Sequence, residues 1–209
     1  NTPRKLIVFW EEAGSIVSLF ADMQVSAPVV RSRTHPVDSW TRSTDAVIEW
    51  NKPSDESGIA GYATISDRNP ETNPMIQNLR YDVNSAYVDN LEDGITYFHI
   101  RAVDGAGNMS RTIHYKLQVS SNPLAMPVVV STTHPEYEKS LKTDAVFRWA
   151  VNDARRLKGF VYSLSKGVAL RPDKYVDDFN IEFRNLENGV YYFNIAAVSA
   201  TNQVSTVYT

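Results

Sequence analysis

Two histidines stand at matched places in the chain, His35 and His134, each inside a Thr-His-Pro triplet. Histidine is the side chain best placed to bind a metal or move a proton near neutral pH. Neither has a second histidine or a carboxylate at ligand spacing, so both read as turn residues or hydrogen-bond partners rather than zinc ligands. Asp55, Asp67, Asp89, Asp93 and Asp104 offer the oxygens that calcium prefers, but no Asp-x-Asp-x-Asp-Gly loop occurs, and turns recruit aspartate for their own hydrogen bonds. Gly-x-Ser-x-Gly, a Walker loop and His-Glu-x-x-His are missing from the sequence, which leaves no set of groups for nucleophilic, phosphoryl or metal-assisted chemistry. The acid pair Glu11-Glu12 reads as a solvated turn. With no cysteine, thiolate chemistry and disulfides are excluded as well. The expectation is a non-enzyme without catalytic residues, metal or cofactor.

Aromatic side chains are the remaining candidates. They make up 11% of the chain, and exposed rings form flat surfaces for protein or carbohydrate. Alternation assigns Trp50, Trp149, Phe98, Phe193, Tyr62 and Phe160 to cores. Trp40, Tyr81, Tyr87, Tyr137, Tyr175 and Tyr191 are left over, and the first five are the candidate binding residues. Packing at sheet edges or between sheets is the plainer account of the same residues.

The elements that must position these residues follow from length and repetition. A chain of 209 residues exceeds one seven-stranded sandwich and suits two modules. Apolar residues at 43% allow each half its own core, and a net charge of −3 without a basic run argues against nucleic acid. No apolar stretch approaches the ~20 residues of a membrane helix, so membrane insertion is not expected. Beginning Asn1-Thr2-Pro3, the chain reads as a piece of a larger protein whose targeting signal lies elsewhere.

Residues 34–50 and 133–149 share Thr-His-Pro, Thr-Asp-Ala-Val and a closing Trp, eight of 17 positions. Residues 90–103 and 185–198 agree at nine of 14. Spacings of 99 and 95 residues indicate a duplicated domain, not a solenoid. In both copies apolar residues alternate with period two, as in half-buried strands: Ala46, Ile48 and Trp50 answer Ala145, Phe147 and Trp149, and Phe98, Ile100 and Ala102 answer Phe193, Ile195 and Ala197. The two are B-type and F-type strands, with C-type strands at Gly61–Ile65 and Gly159–Leu164. Asp104-Gly105-Ala106-Gly107-Asn108 supplies a glycine-rich hairpin before a final strand over 112–119. The second copy has Ser199-Ala200-Thr201-Asn202-Gln203 there, and its turn is expected to differ.

The B-strand tryptophans, the Gly-aromatic C strands and the Leu-x-x-Gly-x-x-Tyr approach to strand F resemble the fibronectin type III plan. The fuller set Ser32-Arg33-Thr34-His35-Pro36, Trp40, Trp50, Ser57-Gly58-Ile59, Gly61-Tyr62, Asp93-Gly94, Tyr97-Phe98 and Ala106-Gly107-Asn108-x-Ser110 is similar to repeats of large exported bacterial proteins, including spirochaete envelope proteins. Phe98 and Phe193 take the inward places, so Tyr97 and Tyr192 fall outside the core and the tyrosine-corner hydrogen bond must be absent or remade. The fold expected is all-β: a β-hairpin over 1–26, the tail of an upstream module; a first sandwich over 27–120; a linker over 121–127; and a second sandwich over 128–209. What the resemblance implies for function is a non-catalytic structural and protein-interaction segment outside the cytoplasm, at the periplasm or cell surface. Its partner would be another envelope protein, and neighbouring domains of the parent chain would flank it. The alternatives are a glycan- or host-matrix-binding module and an accessory domain of an enzyme.

Overall fold

The structure, a computed structural model, describes residues 25–209. The hairpin expected over 1–26 lies, but for its last two residues, outside them. The chain forms two compact units, the first ending at Gln118 and the second running from Val119 to Thr209, with Trp40–Arg42 grouped with the second.

Around the first core lie β1 (Val30–Ser32), β3 (Ala46–Trp50) and β6 (Ser85–Val88) in one sheet. The facing sheet has the order β2 (Trp40–Thr41), β8 (Ile113–Val119), β7 (Gly94–Asp104), β4 (Ile59–Asp67), β5 (Leu79–Arg80). In the second unit, β9 (Val128–Val130), β10 (Ala145–Ala150) and β13 (Asn180–Phe183) face β12 (Lys174–Val176), β11 (Leu157–Lys166) and β14 (Tyr191–Ser199). The one helical turn among the described residues is a 3-10 segment, Ala154–Arg156. This is the sandwich layout of a fibronectin type III-like module, all-β, with successive inward residues of each strand filling the space between sheets.

Each core is centred on its tryptophan. Trp50 is 4% exposed and meets Tyr62 edge-on at 5.3 Å and Phe98 at 6.1 Å. Trp149, 5% exposed, meets Phe160 edge-on at 5.5 Å and Phe193 at 5.9 Å. Such edge-to-face pairs are favoured by the ring quadrupole. Leu124, expected from sequence in a linker, packs into the second core, because an apolar side chain beside an open sandwich end is stabilised by burial.

The residues shared by the two copies build the same joints. Thr34 Oγ1 accepts the Val47 N–H at 3.1 Å, and Thr133 Oγ1 accepts the Val146 N–H at 2.9 Å. Asp45 and Asp144 accept the N–H groups of Asn90 and Asn185, at 3.3 and 2.9 Å. Those asparagines are left-handed, with φ of 54° and 56°, a conformation Asn tolerates better than most residues.

The hairpin after strand F corrects an expectation. In the first unit the Asp104 N–H donates to the Asn108 carbonyl at 3.1 Å with Gly107 at φ 84°; in the second the Ser199 N–H donates to the Gln203 carbonyl at 2.8 Å with Asn202 at φ 61°. The turn is therefore the same. Asn202 replaces glycine in the left-handed position, and Ser199 Oγ takes over from Asp104 Oδ1 as acceptor of the N–H four residues on.

Candidate functional site

His35, His134, Asp55, Asp67 and Asp104, singled out by the sequence, are held in local hydrogen bonds. His35 is fully buried, its Nε2 3.1 Å from the Ser43 carbonyl oxygen and its Nδ1 3.1 Å from Thr34 Oγ1. His134 Nδ1 lies 3.2 Å from Thr133 Oγ1. Asp55 accepts from Ser57, Asp67 from Asn69 and Asp104 from Asn108, as turn residues do. Among the described residues no cluster of three or more histidines or carboxylates is arranged to hold a metal.

One polar cluster was not foreseen. His99 and its counterpart Asn194 sit on the outer face of strand F, where alternation leads one to expect solvent, yet both are buried. The loop that follows strand C folds back over that face in each unit. His99 Nδ1 lies 2.7 Å from His114 Nδ1 and its Nε2 3.3 Å from Asp67, while Asn194 Nδ2 donates to the Leu170 carbonyl at 3.0 Å. Burial holds the His99 and His35 imidazoles below the ordinary histidine pKa; the Asp67 and Asp45 carboxylates pull weakly the other way.

The candidate aromatics do not come together. Trp40 is half-buried in β2. Tyr81 is capped by Lys52 Nζ at 4.9 Å from the ring centroid, and Tyr87 lies on the open face of β6. Tyr175 donates its hydroxyl to the Lys158 carbonyl at 2.7 Å and lies against Gly159, so its ring is part of the sheet edge. Half-buried Tyr191 opens β14.

Tyr137 differs from all of these. It is 98% exposed and held at φ 61°. A side chain of that size in the left-handed region costs about 1–2 kcal/mol. The same turn in the first unit carries Asp38 at φ 56°, a residue that tolerates the conformation and is paired to Lys116 of β8. The hydrogen bond to neighbouring Glu136 raises the Tyr137 pKa but does not bury the ring. Leu141, four residues on, is fully exposed.

The residues around this turn are more deeply buried in the first unit than their counterparts in the second. In the first unit Tyr115 of β8 donates its hydroxyl to the His35 carbonyl at 2.8 Å and accepts the Ser32 N–H at 3.1 Å. This is the tyrosine hydrogen bond that the departures at Tyr97 and Tyr192 called into question, remade from strand G. Under it His35, Ser32, Ile48 and Leu91 are buried. Their counterparts His134, Ser131, Phe147 and Leu186 are only half-buried. Phe147 stacks on Phe193 at 4.2 Å, and Phe183 and Tyr162 complete an aromatic cluster that is not fully covered.

No family model and no curated protein matches the sequence. Among solved structures the chain is similar to the fibronectin(III)-like modules of Clostridium thermocellum CbhA, at 11% identity over 86% of this chain and 90% of that one, with a TM-score of 0.36.

Proposed function

We propose that the chain is a non-catalytic docking and spacing segment of a larger exported bacterial protein, working at the periplasm or cell surface, and that the turn between β9 and β10 of its second unit, led by Tyr137, engages another envelope protein. The observation that carries this reading is the backbone strain at Tyr137. A fully displayed ring in a conformation that its counterpart Asp38 meets at lower cost lowers the stability of the turn and gains no packing. Strain of that kind collects at binding loops, and tyrosine is over-represented at interface hot spots. Leu141, four residues on, is fully exposed as well.

Replacing Tyr137 by Asp, as the first unit has it, separates stability from binding. Tyr137→Asp is expected to raise the stability of the second unit by about 1 kcal/mol through relief of strain. A photo-crosslinker carried at position 137, with position 38 as control, is expected to label one envelope protein from 137 alone. The Tyr137→Asp chain should then capture that protein at least about tenfold less well. Equal labelling from both positions, or capture unchanged in the variant, would rule the reading out.

A further inference from the structure

Strand β14 is entered through Asn188-Gly189, the one Asn-Gly pair in the sequence. The main chain is anchored on either side of the pair: the Leu186 N–H donates to the Thr143 carbonyl and the Gly167 N–H to the Val190 carbonyl, both at 2.8 Å. Between these anchors Glu187, Asn188 and Gly189 are exposed. The Glu187 carboxylate pairs with Lys166 at 2.9 Å. The backbone groups of all three residues and the Asn188 side-chain amide bond nothing among the described residues. The matched pair in the first unit, Asp93-Gly94, is enclosed: Asp93 is half-buried, and Gly94 is buried as the first residue of β7. Asn84-Ser85, another exposed asparagine with a small follower, is held as well, since the Asn84 carbonyl accepts the Trp50 N–H at 3.0 Å and Ser85 opens β6. Asn188 therefore combines a solvated amide, an unbonded follower and a backbone nitrogen that no Cβ shields.

We propose that Asn188 is a self-modification site, whose amide is converted to aspartate and isoaspartate through a succinimide; asparagine is among the chemically labile residues. The Gly189 backbone nitrogen gives up its proton to a base and attacks Asn188 Cγ. The N–Cγ bond forms, the Cγ–Nδ2 bond breaks, and the departing nitrogen takes up a proton and leaves as ammonia. Water then opens the ring. Opening at Cγ gives aspartate. Opening at the main-chain carbonyl carbon of residue 188 gives isoaspartate, in which the chain runs through Cβ and Cγ and is one methylene longer. Nothing is oxidised or reduced, and water is the one co-reactant. The two products differ in effect. Aspartate is what the first unit carries at the matched position, so the turn accommodates it. Isoaspartate inserts an extra backbone atom between the anchors at Thr143 and Gly167, just ahead of Tyr191, which pairs with Lys166. The added length strains the Gly167–Val190 bond and loosens the head of β14, while the first unit is untouched. The site lies outside the Tyr137 turn and does not depend on the docking role.

The test incubates the whole folded chain in mildly alkaline buffer and then digests it. The peptides are weighed for amide-to-acid conversion and assayed as methyl acceptors for an isoaspartyl methyltransferase. Asn188 is expected to convert at least about tenfold faster than Asn84, to yield isoaspartate, and to convert more slowly in acidic buffer, where the Gly189 nitrogen keeps its proton. Asn188→Gln, whose longer side chain cannot close the five-membered ring, should abolish the mass gain in this peptide. In the isoaspartate fraction, separated by chromatography, amide exchange at Gly167 is expected to be at least about tenfold faster than in the parent. Freshly prepared Asn188→Asp should exchange like the parent. Conversion at Asn188 no faster than at Asn84, or conversion seen only after the chain is denatured, overturns the proposal. Parent-like exchange at Gly167 in the isoaspartate fraction overturns the effect on β14.

Discussion

At the scale of single residues, one matched core position differs between the two units by a single oxygen. Tyr62 and Phe160 occupy the same place against their tryptophans, at 5.3 and 5.5 Å and in the same edge-on pose. The Tyr62 hydroxyl and the Trp50 Nε1 are buried near each other but outside hydrogen-bond geometry, so neither has a partner, and the Trp149 Nε1 has none either. Burial pushes the Tyr62 phenol pKa up, against a smaller opposing pull from the Trp50 indole. A buried hydroxyl left unpaired costs about 1–3 kcal/mol, whereas removing it from a ring that keeps its shape costs almost nothing. Tyr62→Phe is thus expected to stabilise the first unit by about 1 kcal/mol and to raise its melting temperature by about 5 °C. A fall in the melting temperature on thermal denaturation would show that the hydroxyl is paired after all.

At the scale of elements, the paired C strands share a bulge whose consequences differ. The register shifts between Ile59 and Gly61 in β4 and between Leu157 and Gly159 in β11, and each glycine is where the next strand edge comes closest. A Cβ on Gly61 would overlap the Leu79 carbonyl oxygen as well as the Gln77 side chain, while the atoms nearest to one on Gly159 all belong to the Tyr175 side chain. Backbone cannot step aside cheaply and a half-exposed ring can. Gly61→Ala is expected to cost about 2–3 kcal/mol and Gly159→Ala about 1 kcal/mol, the latter with loss of the Tyr175 bond to the Lys158 carbonyl. Urea titrations of the two variants check the order; equal losses would refute it.

Much of this level was legible beforehand. Period two gave away strands B, C and F because one face of each is packed and water lies beyond the other. The shared Thr-Asp and Asn-Leu-Glu strings were visible as a repeat, but their work, an aspartate holding a left-handed asparagine, involves residues about 40 apart and leaves no local signal. The outer face of strand F misled for a related reason. His99 and Asn194 look solvent-facing in an alternating strand, and only the fold-back of the C-strand loop covers them. The second F–G turn was misjudged because Asn202 and Ser199 reproduce by chemistry what Gly107 and Asp104 do, without matching them in type. Tyr137 was one of six aromatics left unallocated, with packing the plainer account, so neither its exposure nor its strain was legible: φ cannot be read from a residue beside other polar ones.

At the scale of the whole molecule, titratable groups divide the two units. The first buries His99 and His35 as neutral imidazoles whose pKa values are depressed by desolvation. Facing His99 are Asp67 from the end of β4, His114 from β8, Tyr97 from β7 and the Asn69 backbone; facing His35 are the Ser43 carbonyl and Asp45. A folded-state pKa below the unfolded value of about 6.5 means that the unfolded chain binds more protons below neutrality. Stability is therefore complete above about pH 6.5 and falls as the pH drops toward the folded values, by at most about 1.4 kcal/mol per pH unit for each histidine. The second unit has Asn194 in the place of His99, and its matched His134 is half-exposed. Between pH 7 and 5, protection factors, which correct for the intrinsic slowing of amide exchange at lower pH, should fall in β3, β4, β7 and β8 and stay level in β10, β11 and β14. His99→Asn, which imports the second unit's solution, should flatten the loss in the first unit by about one proton's worth, with Asp67 and His114 left in place. Protection that declines equally in both units, or a first unit as stable at pH 5 as at pH 7, would mean that the buried imidazoles are already protonated, with Asp67 and Asp45 outweighing burial.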